Sequence, residues 1–151
     1  MLSRDGIERV IPIRPPILAV DRITNAQLAS SVIGEWDIRE DAWWARGHFP
    51  DNPILPGTQI IESMAQTAPF CFYDETRPQS IEGMLVRVDD AKFVQPVTPP
   101  CTLIVKAEVG GVIGRLAKFR CRAFVEQTRV AMAELTVRFQ DKSLVAQGAQ
   151  S

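Results

Sequence analysis

The 151 residues contain one histidine, His48, and one tyrosine, Tyr73. A lone imidazole cannot supply a zinc cluster. The three cysteines, Cys71, Cys101 and Cys121, are too widely spaced for metal or redox motifs, so buried reduced thiols are expected. Charge of either sign is nearly absent on balance: 17 basic against 18 acidic residues give a formal net charge of -1. No global field therefore draws the chain to nucleic acid or to an anionic membrane. No apolar run approaches membrane-span length. Arg9, Pro12, Arg14, Pro15 and Pro16 break up the first twenty residues, leaving no signal-like core. These absences predict a cytoplasmic protein that works without nucleic acid or membrane. Repeats, low-complexity tracts and linkers are also missing. One domain over 1–151 is expected, with 1–8 and 142–151 as loose ends.

What the chain does have is concentrated between Arg46 and Gln66, RGHFPDNPILPGTQIIESMAQ. Gly47, Pro50, Asn52, Pro53, Pro56 and Gly57 fix a loop around His48. A helical pattern then begins near Thr58, with Ile60, Ile61, Met64, Ala65 and Ala68 apolar. Glu62 and Gln66 stand four apart on one face of it. A carboxylic acid in so apolar a helix needs a reason. Pro69 removes an N–H and clashes with the carbonyl of residue 65, which predicts a kink or an end there.

Before this stretch, Val10–Ile13 reads as short and extended, and Ile17–Val20 as a buried turn of chain. Residues 29–38 read as a strand weakened by Gly34. Asp41–Ala45 reads as a turn or short helix whose Trp43 and Trp44 pack. After it, Met84–Val88 and Ala91–Val94 read as a strand or as strand–bend–strand. Leu103, Val105, Ala107 and Val109 alternate with polar neighbours, and Gly110-Gly111 signals a turn. Ala117, Phe119, Cys121, Ala123 and Val125 oppose Lys118, Arg120 and Arg122. Ala131, Ala133, Leu135, Val137 and Phe139 oppose Glu134, Thr136 and Arg138. Such one-sided antiparallel strands need an apolar cover, and the helix from Thr58 is the candidate. The fold class is α+β.

Gly47-His48-Phe49-Pro50, Pro53-Ile54-Leu55-Pro56-Gly57 and Glu62-Ser63-Met64-Ala65-Gln66 together resemble the 3-hydroxyacyl-acyl-carrier-protein dehydratases. Ala91-Lys92-Phe93, Gln95-Pro96-Val97 and the run from Leu18 to Thr24 extend the likeness over residues 17–140. The resemblance implies a hotdog fold, a long helix wrapped by a curved antiparallel sheet. It implies a homodimer, an acyl-carrier-protein-linked substrate and no cofactor. It implies that His48 and Glu62 are catalytic, contributed by opposite protomers, and that the Gly57 N–H polarises the thioester carbonyl. Phe49, Pro56, Thr58, Gln66 and Phe93 would contact or position substrate. Thr58-Gln59, Pro69 and Pro99-Pro100-Cys101 depart from the family pattern and bear on acyl-chain preference. Glutamate rather than aspartate at 62 argues against isomerase activity.

The residue chemistry fits that expectation. Dehydration needs a base for the C2 proton, an acid for the departing 3-hydroxyl and a donor for the enolate oxygen. Histidine, with an ordinary pKa of about 6.5, suits the base. The helix N-terminus favours a carboxylate by roughly 0.3–1 kcal/mol, whereas burial, the larger effect, favours the neutral acid. Glu62 is therefore expected to be dry and to be protonated or to share a proton, with Gln66 orienting it. Thr58 is the expected N-cap, leaving free N–H groups at Gly57.

On spacing alone, His48 also fits a turn residue and Glu62 a buried partner of an arginine. A hotdog thioesterase and a non-catalytic acyl- or carrier-binding subunit are the rival functions. The row Lys118, Arg120 and Arg122, with Arg115 and Arg138 near, could dock an acidic carrier. Cross-strand pairing with Glu108 and Glu134 is the preferred reading.

Overall fold

The computed structural model describes residues 1–146. Six antiparallel strands form one sheet: β1 (Arg22–Gln27), β2 (Ser31–Ile38), β3 (Gly83–Phe93), β4 (Cys101–Ile113), β5 (Leu116–Val125) and β6 (Thr128–Phe139). Their spatial order is β1-β2-β4-β5-β6-β3. The central helix α2 (Gly57–Thr67) runs on as a 3-10 segment, Ala68–Phe72. This is the hotdog arrangement that the resemblance implies.

The alternating rows decide which sheet face is dry. Ala117, Phe119, Cys121 and Ala123 of β5 are buried, as are Ala131, Ala133, Leu135, Val137 and Phe139 of β6. Ile60, Met64, Ala68, Phe70 and Phe72 of the helical segment are buried in the same core cluster. Phe72, Phe119 and Phe139 meet edge to face, with centroids 5.6 to 6.4 Å apart. Each such ring is worth about 1.5–3 kcal/mol on burial. Pro69 sits in the first turn of the 3-10 segment. The α-helix ends before it, as expected, because proline offers no N–H to the ladder.

Several expectations need correction. Residues 1–8 are not a loose start: α1 (Arg4–Val10) buries Ile7 completely, Leu2 bridges to Ile23, and Arg4 pairs with Asp21. Val10 closes this helix instead of opening an extended run. At the other end, α3 (Lys142–Ala146) buries Leu144 and Val145; the rest of the tail expected to be loose, 147–151, lies outside the described residues. Strand β1 was not legible. Gly110-Gly111 lies inside β4 at a register shift, and the reversal falls at Gly114, where φ is +60°. Helix α2 starts at Gly57 with Pro56 at the N-cap and no side-chain cap, so Thr58 is not the cap. Trp44 is buried, whereas Trp43 is 53% exposed.

Gly34 does not weaken β2 so much as admit the helix. A Cβ there would lie 2.7 Å from Thr67 Cγ2 and 3.3 Å from Val20 Cγ2. The close approach draws the chain before β1 and the end of α2 against the sheet.

Candidate functional site

The loop before α2 is built around His48. Its Nδ1 lies 2.7 Å from the Ile54 carbonyl oxygen. A carbonyl only accepts, so Nδ1 carries the hydrogen and Nε2 of the neutral ring keeps its lone pair. The Phe49 ring meets His48 edge-on at 4.7 Å, and Phe49 adopts a left-handed φ of 55°. A left-handed phenylalanine is a backbone outlier held by its surroundings. The loop is pinned again where Leu55 N–H donates to Val97 O at 2.8 Å.

His48, Ile54, Gly57, Ile60, Phe93 and Val97 line a cleft of about 350 Å³. Gly57 is the first helical residue, so its N–H has no intrahelical acceptor. A Cβ at 57 would stand 3.0 Å from the Phe93 ring, which leaves glycine as the residue that keeps this approach open. Helix N-terminus, free N–H and imidazole thus share one small space.

Glu62 and Gln66 form the second part. Gln66 is buried and uses its whole amide: Nε2 donates to Glu62 Oε1 at 2.7 Å and to Ile17 O at 2.9 Å, while Oε1 accepts from Ala19 N–H at 2.7 Å. The Ala19 contact fixes which end of the amide is oxygen, so Glu62 Oε1 faces a donor and acts as acceptor. Ser63 Oγ adds a bond to Ala19 O at 2.7 Å. The segment 17–19 is therefore a backbone brace for the acid.

The structure brings His48, Gly57 and Phe93 together and joins Gln66 to Glu62. It does not put Glu62 among the residues lining the His48 cleft. Nor is Glu62 sealed: within one chain it is half-buried, short of the dry setting expected. Thr58 is exposed. Phe49 and Pro56 shape the loop and helix start without lining the cleft. The contributions that sequence reasoning missed are backbone groups: the carbonyls of Ile54 and Ile17 and the N–H of Ala19.

Other groups have ordinary roles. Cys71, Cys101 and Cys121 are free thiols, and burial pushes Cys71 up to about 12. Lys118 meets Glu134 at 3.6 Å, and Arg120 and Arg122 share Glu108 at 3.9 and 2.6 Å. The basic row is thus a paired sheet face, as preferred.

A helix laid on a six-stranded antiparallel sheet, with a loop histidine at the helix start, defines a hotdog-fold protein. Residues 11–134 match the model of the FabA-like domain, and the chain belongs to that family. It is 35% identical over 136 residues to the 3-hydroxyacyl-[acyl-carrier-protein] dehydratase FabZ of Wolbachia sp. subsp. Drosophila simulans (strain wRi), covering 90% of this chain and 95% of that protein. It is 37% identical over 142 residues to the FabZ of Sulfurovum sp. (strain NBC37-1), covering 90% and 95%. Among solved structures it resembles the dehydratase heterocomplex ApeI:P from Xenorhabdus doucetiae, with a TM-score of 0.78, 18% identity and 97% of each chain covered. A hypothetical thioesterase with coenzyme A from Streptococcus pneumoniae TIGR4 has a TM-score of 0.62 at 9% identity, covering 80% of this chain and 86% of that one. At those identities the likeness is one of fold.

Proposed function

We propose that this chain is a hydro-lyase that converts (3R)-3-hydroxyacyl-acyl-carrier-protein into the trans-2-enoyl form, in cytoplasmic fatty acid synthesis or a related polyene or polyketide pathway. The observation that carries the reading is the locked imidazole. With Nδ1 held on Ile54 O, Nε2 is left for a proton, in the same cleft as the unpartnered Gly57 N–H. Family membership and the FabZ relatives support the same reaction class.

In this mechanism His48 Nε2 takes a proton from C2, and the thioester oxygen, gaining charge, is held by Gly57 N–H. Glu62 donates a proton to the 3-hydroxyl, the C3–O bond breaks, and water leaves as the C2=C3 bond forms. Because Glu62 Oε1 accepts from Gln66, Oε2 is the oxygen left to face the 3-hydroxyl. The resulting imidazolium and carboxylate are reset by a net proton transfer through solvent. General acid–base catalysis of this kind is worth about 10²–10⁴-fold, and one oxyanion donor about 10²–10³-fold.

The acid comes from a second copy in this reading. Strand β3 ends the sheet, and its Leu85, Val88 and Phe93 pair with Val137, Leu135 and Ala131 of the dry face. Yet they remain 37%, 40% and 49% exposed. Edge strands with uncovered apolar residues are interaction surfaces. A homodimer across β3 would cover them and bring Glu62 of one protomer toward His48 of the other.

The test is complementation. His48→Ala and Glu62→Gln should each lower turnover by at least about 10²-fold with the fold intact. Mixing and re-equilibrating the two variants should restore about one quarter of wild-type activity. Random pairing makes half the dimers hybrid, and each hybrid has one intact site of two. No recovery on mixing would place both groups in one chain, and near-normal rates in either variant would end the assignment.

A further inference from the structure

The brace that aims Glu62 has an anchor of its own. Among the described residues the buried polar side chains are Asp21, Ser63, Gln66 and Thr67, and Asp21 is the charged one. Asp21, Ser63 and Gln66 all act on one short segment, residues 17–21. Gln66 bonds to Ile17 O and Ala19 N–H, and Ser63 Oγ donates to Ala19 O. Residues 18–21 belong to no strand, and both backbone groups of Ala19 go to side chains of α2. Val20 packs beside Gly34, but an apolar contact sets no direction.

The directional ties to the sheet lie at Asp21. Its N–H donates to Glu35 O at 2.7 Å. Its Oδ2 accepts from Asp37 N–H at 2.8 Å, and its Oδ1 takes the Arg4 guanidinium, with Nε at 3.0 Å. Asp37 is a fixed point: it stands opposite Thr102 in the pairing of β2 with β4, and its carboxylate is held by Arg22 and Thr102. Ala19 lies two residues before Asp21, a span of at most about 7 Å. An ion pair of this kind adds little net stability over apolar packing, so a charge kept here suits the fixing of a position.

We propose that Asp21, held by Arg4, is a positioning residue for the acid of the reaction. It sets where Ala19 presents its N–H, and so where Gln66 holds Glu62. Helix α1, which supplies Arg4, thereby takes part in catalysis without touching substrate. The inference rests on the dehydratase reading, which makes Glu62 the acid. His48 does not depend on this brace, because its loop is pinned at Ile54 and Val97. A loosened Asp21 therefore impairs protonation of the departing hydroxyl and spares both substrate binding and removal of the C2 proton.

The experiment separates those steps by leaving group. Two N-acetylcysteamine thioesters are used, alike except that C3 carries a hydroxyl in one and a chlorine in the other. In the second, His48 takes the C2 proton, the C3–Cl bond breaks, and chloride leaves with the bonding pair as C2=C3 forms; no acid is needed. Arg4→Ala and Asp21→Asn should each lower kcat for the hydroxyl ester about ten- to a hundredfold, with KM and the rate on the chloro ester unchanged. Arg4→Lys, which keeps the charge, should recover most of the loss. Arg4 is half-exposed, so Arg4→Ala decides the matter if Asp21→Asn fails to fold. Equal falls on both esters, or normal rates on both, overturn the proposal. Hydrogen exchange followed by nuclear magnetic resonance reads the brace without turnover. Exchange at Ala19 N–H and at the Gln66 side-chain amide should accelerate at least about tenfold in Arg4→Ala, while the Leu135 amide in β6 stays protected. Should wild type turn over neither ester, the dehydratase reading fails separately, and exchange decides: acceleration at both sites supports the hold of Asp21 on Glu62, and unchanged exchange rejects it.

Discussion

Strands β3 and β6 are hydrogen-bonded neighbours, and residue for residue they present similar side chains to the same face of the sheet. Their fates differ. Leu135 and Val137 of β6 are fully or almost fully buried, whereas Val88 and Leu85, directly opposite on β3, are more than a third exposed. The helical segment accounts for the contrast. It packs over β2, β4, β5 and β6, where Phe72 reaches Phe119 and Phe139, and it meets the end of β3 at Phe93, leaving Leu85 and Val88 beyond its cover. Alternation in a strand thus marks which face is to be dry without saying which chain dries it. In β6 the cover is the chain's own helix; in β3 the reading above assigns it to a second copy, and the candidate site straddles the boundary between the two.

The contrast can be broken at matched positions. Leu135→Ala removes side-chain volume from the covered half, so stability should fall by about 2–5 kcal/mol, read as a lower denaturant midpoint, with the rate per folded molecule preserved. Val88→Asp, on the opposing residue, should leave the circular dichroism of the fold intact. It should convert dimer to monomer in sedimentation and lower turnover at least about 10²-fold with it. A stable, active dimer of the Val88→Asp variant would remove the role given to β3.

Two glycines sharpen the same contrast with smaller effects. Gly34→Ala would drive a methyl group into Thr67 and Val20, both fully buried and unable to yield, at a cost of about 1–3 kcal/mol in chemical denaturation. Gly57→Ala meets only the Phe93 ring, 49% exposed and free to turn aside. Its melting temperature should stay level or rise slightly, since alanine favours a helix over glycine by about 1 kcal/mol. Turnover should nonetheless fall, because the methyl group narrows the approach to the Gly57 N–H. Equal losses of stability in the two variants would show that the His48 cleft is packed as tightly as the core.

Much of the fold was legible because it is written in local period. The rows from Ala117 and Ala131, the bend within β3 at the Asp89–Lys92 register shift, and the end of the α-helix at Pro69 all follow from neighbours in sequence. The errors fall where a distant partner overrode a local signal. Gly110-Gly111 reads as a turn but is carried through within β4 by its pairing with β5, at the cost of a register shift. Residues 1–8 look loose but are fastened by Ile23 and Asp21, far along the chain. Thr58 is the local exception: it looks like a cap, yet Pro56, just before the helix, already sets its entry. Trp43 and Trp44 look alike, and only the loop's path buries one of them.

The sequence alone determined the identity of the chemical groups and the surfaces that must avoid water, since side-chain type and alternation are local properties. Tertiary structure decided how those groups are aimed. His48 is held by the carbonyl of Ile54, and Gln66 by the backbone of Ile17 and Ala19. Every residue but proline carries the same peptide N–H, and every residue the same C=O, so these partners leave no mark in the letters and exist only once distant segments have been brought within hydrogen-bonding reach.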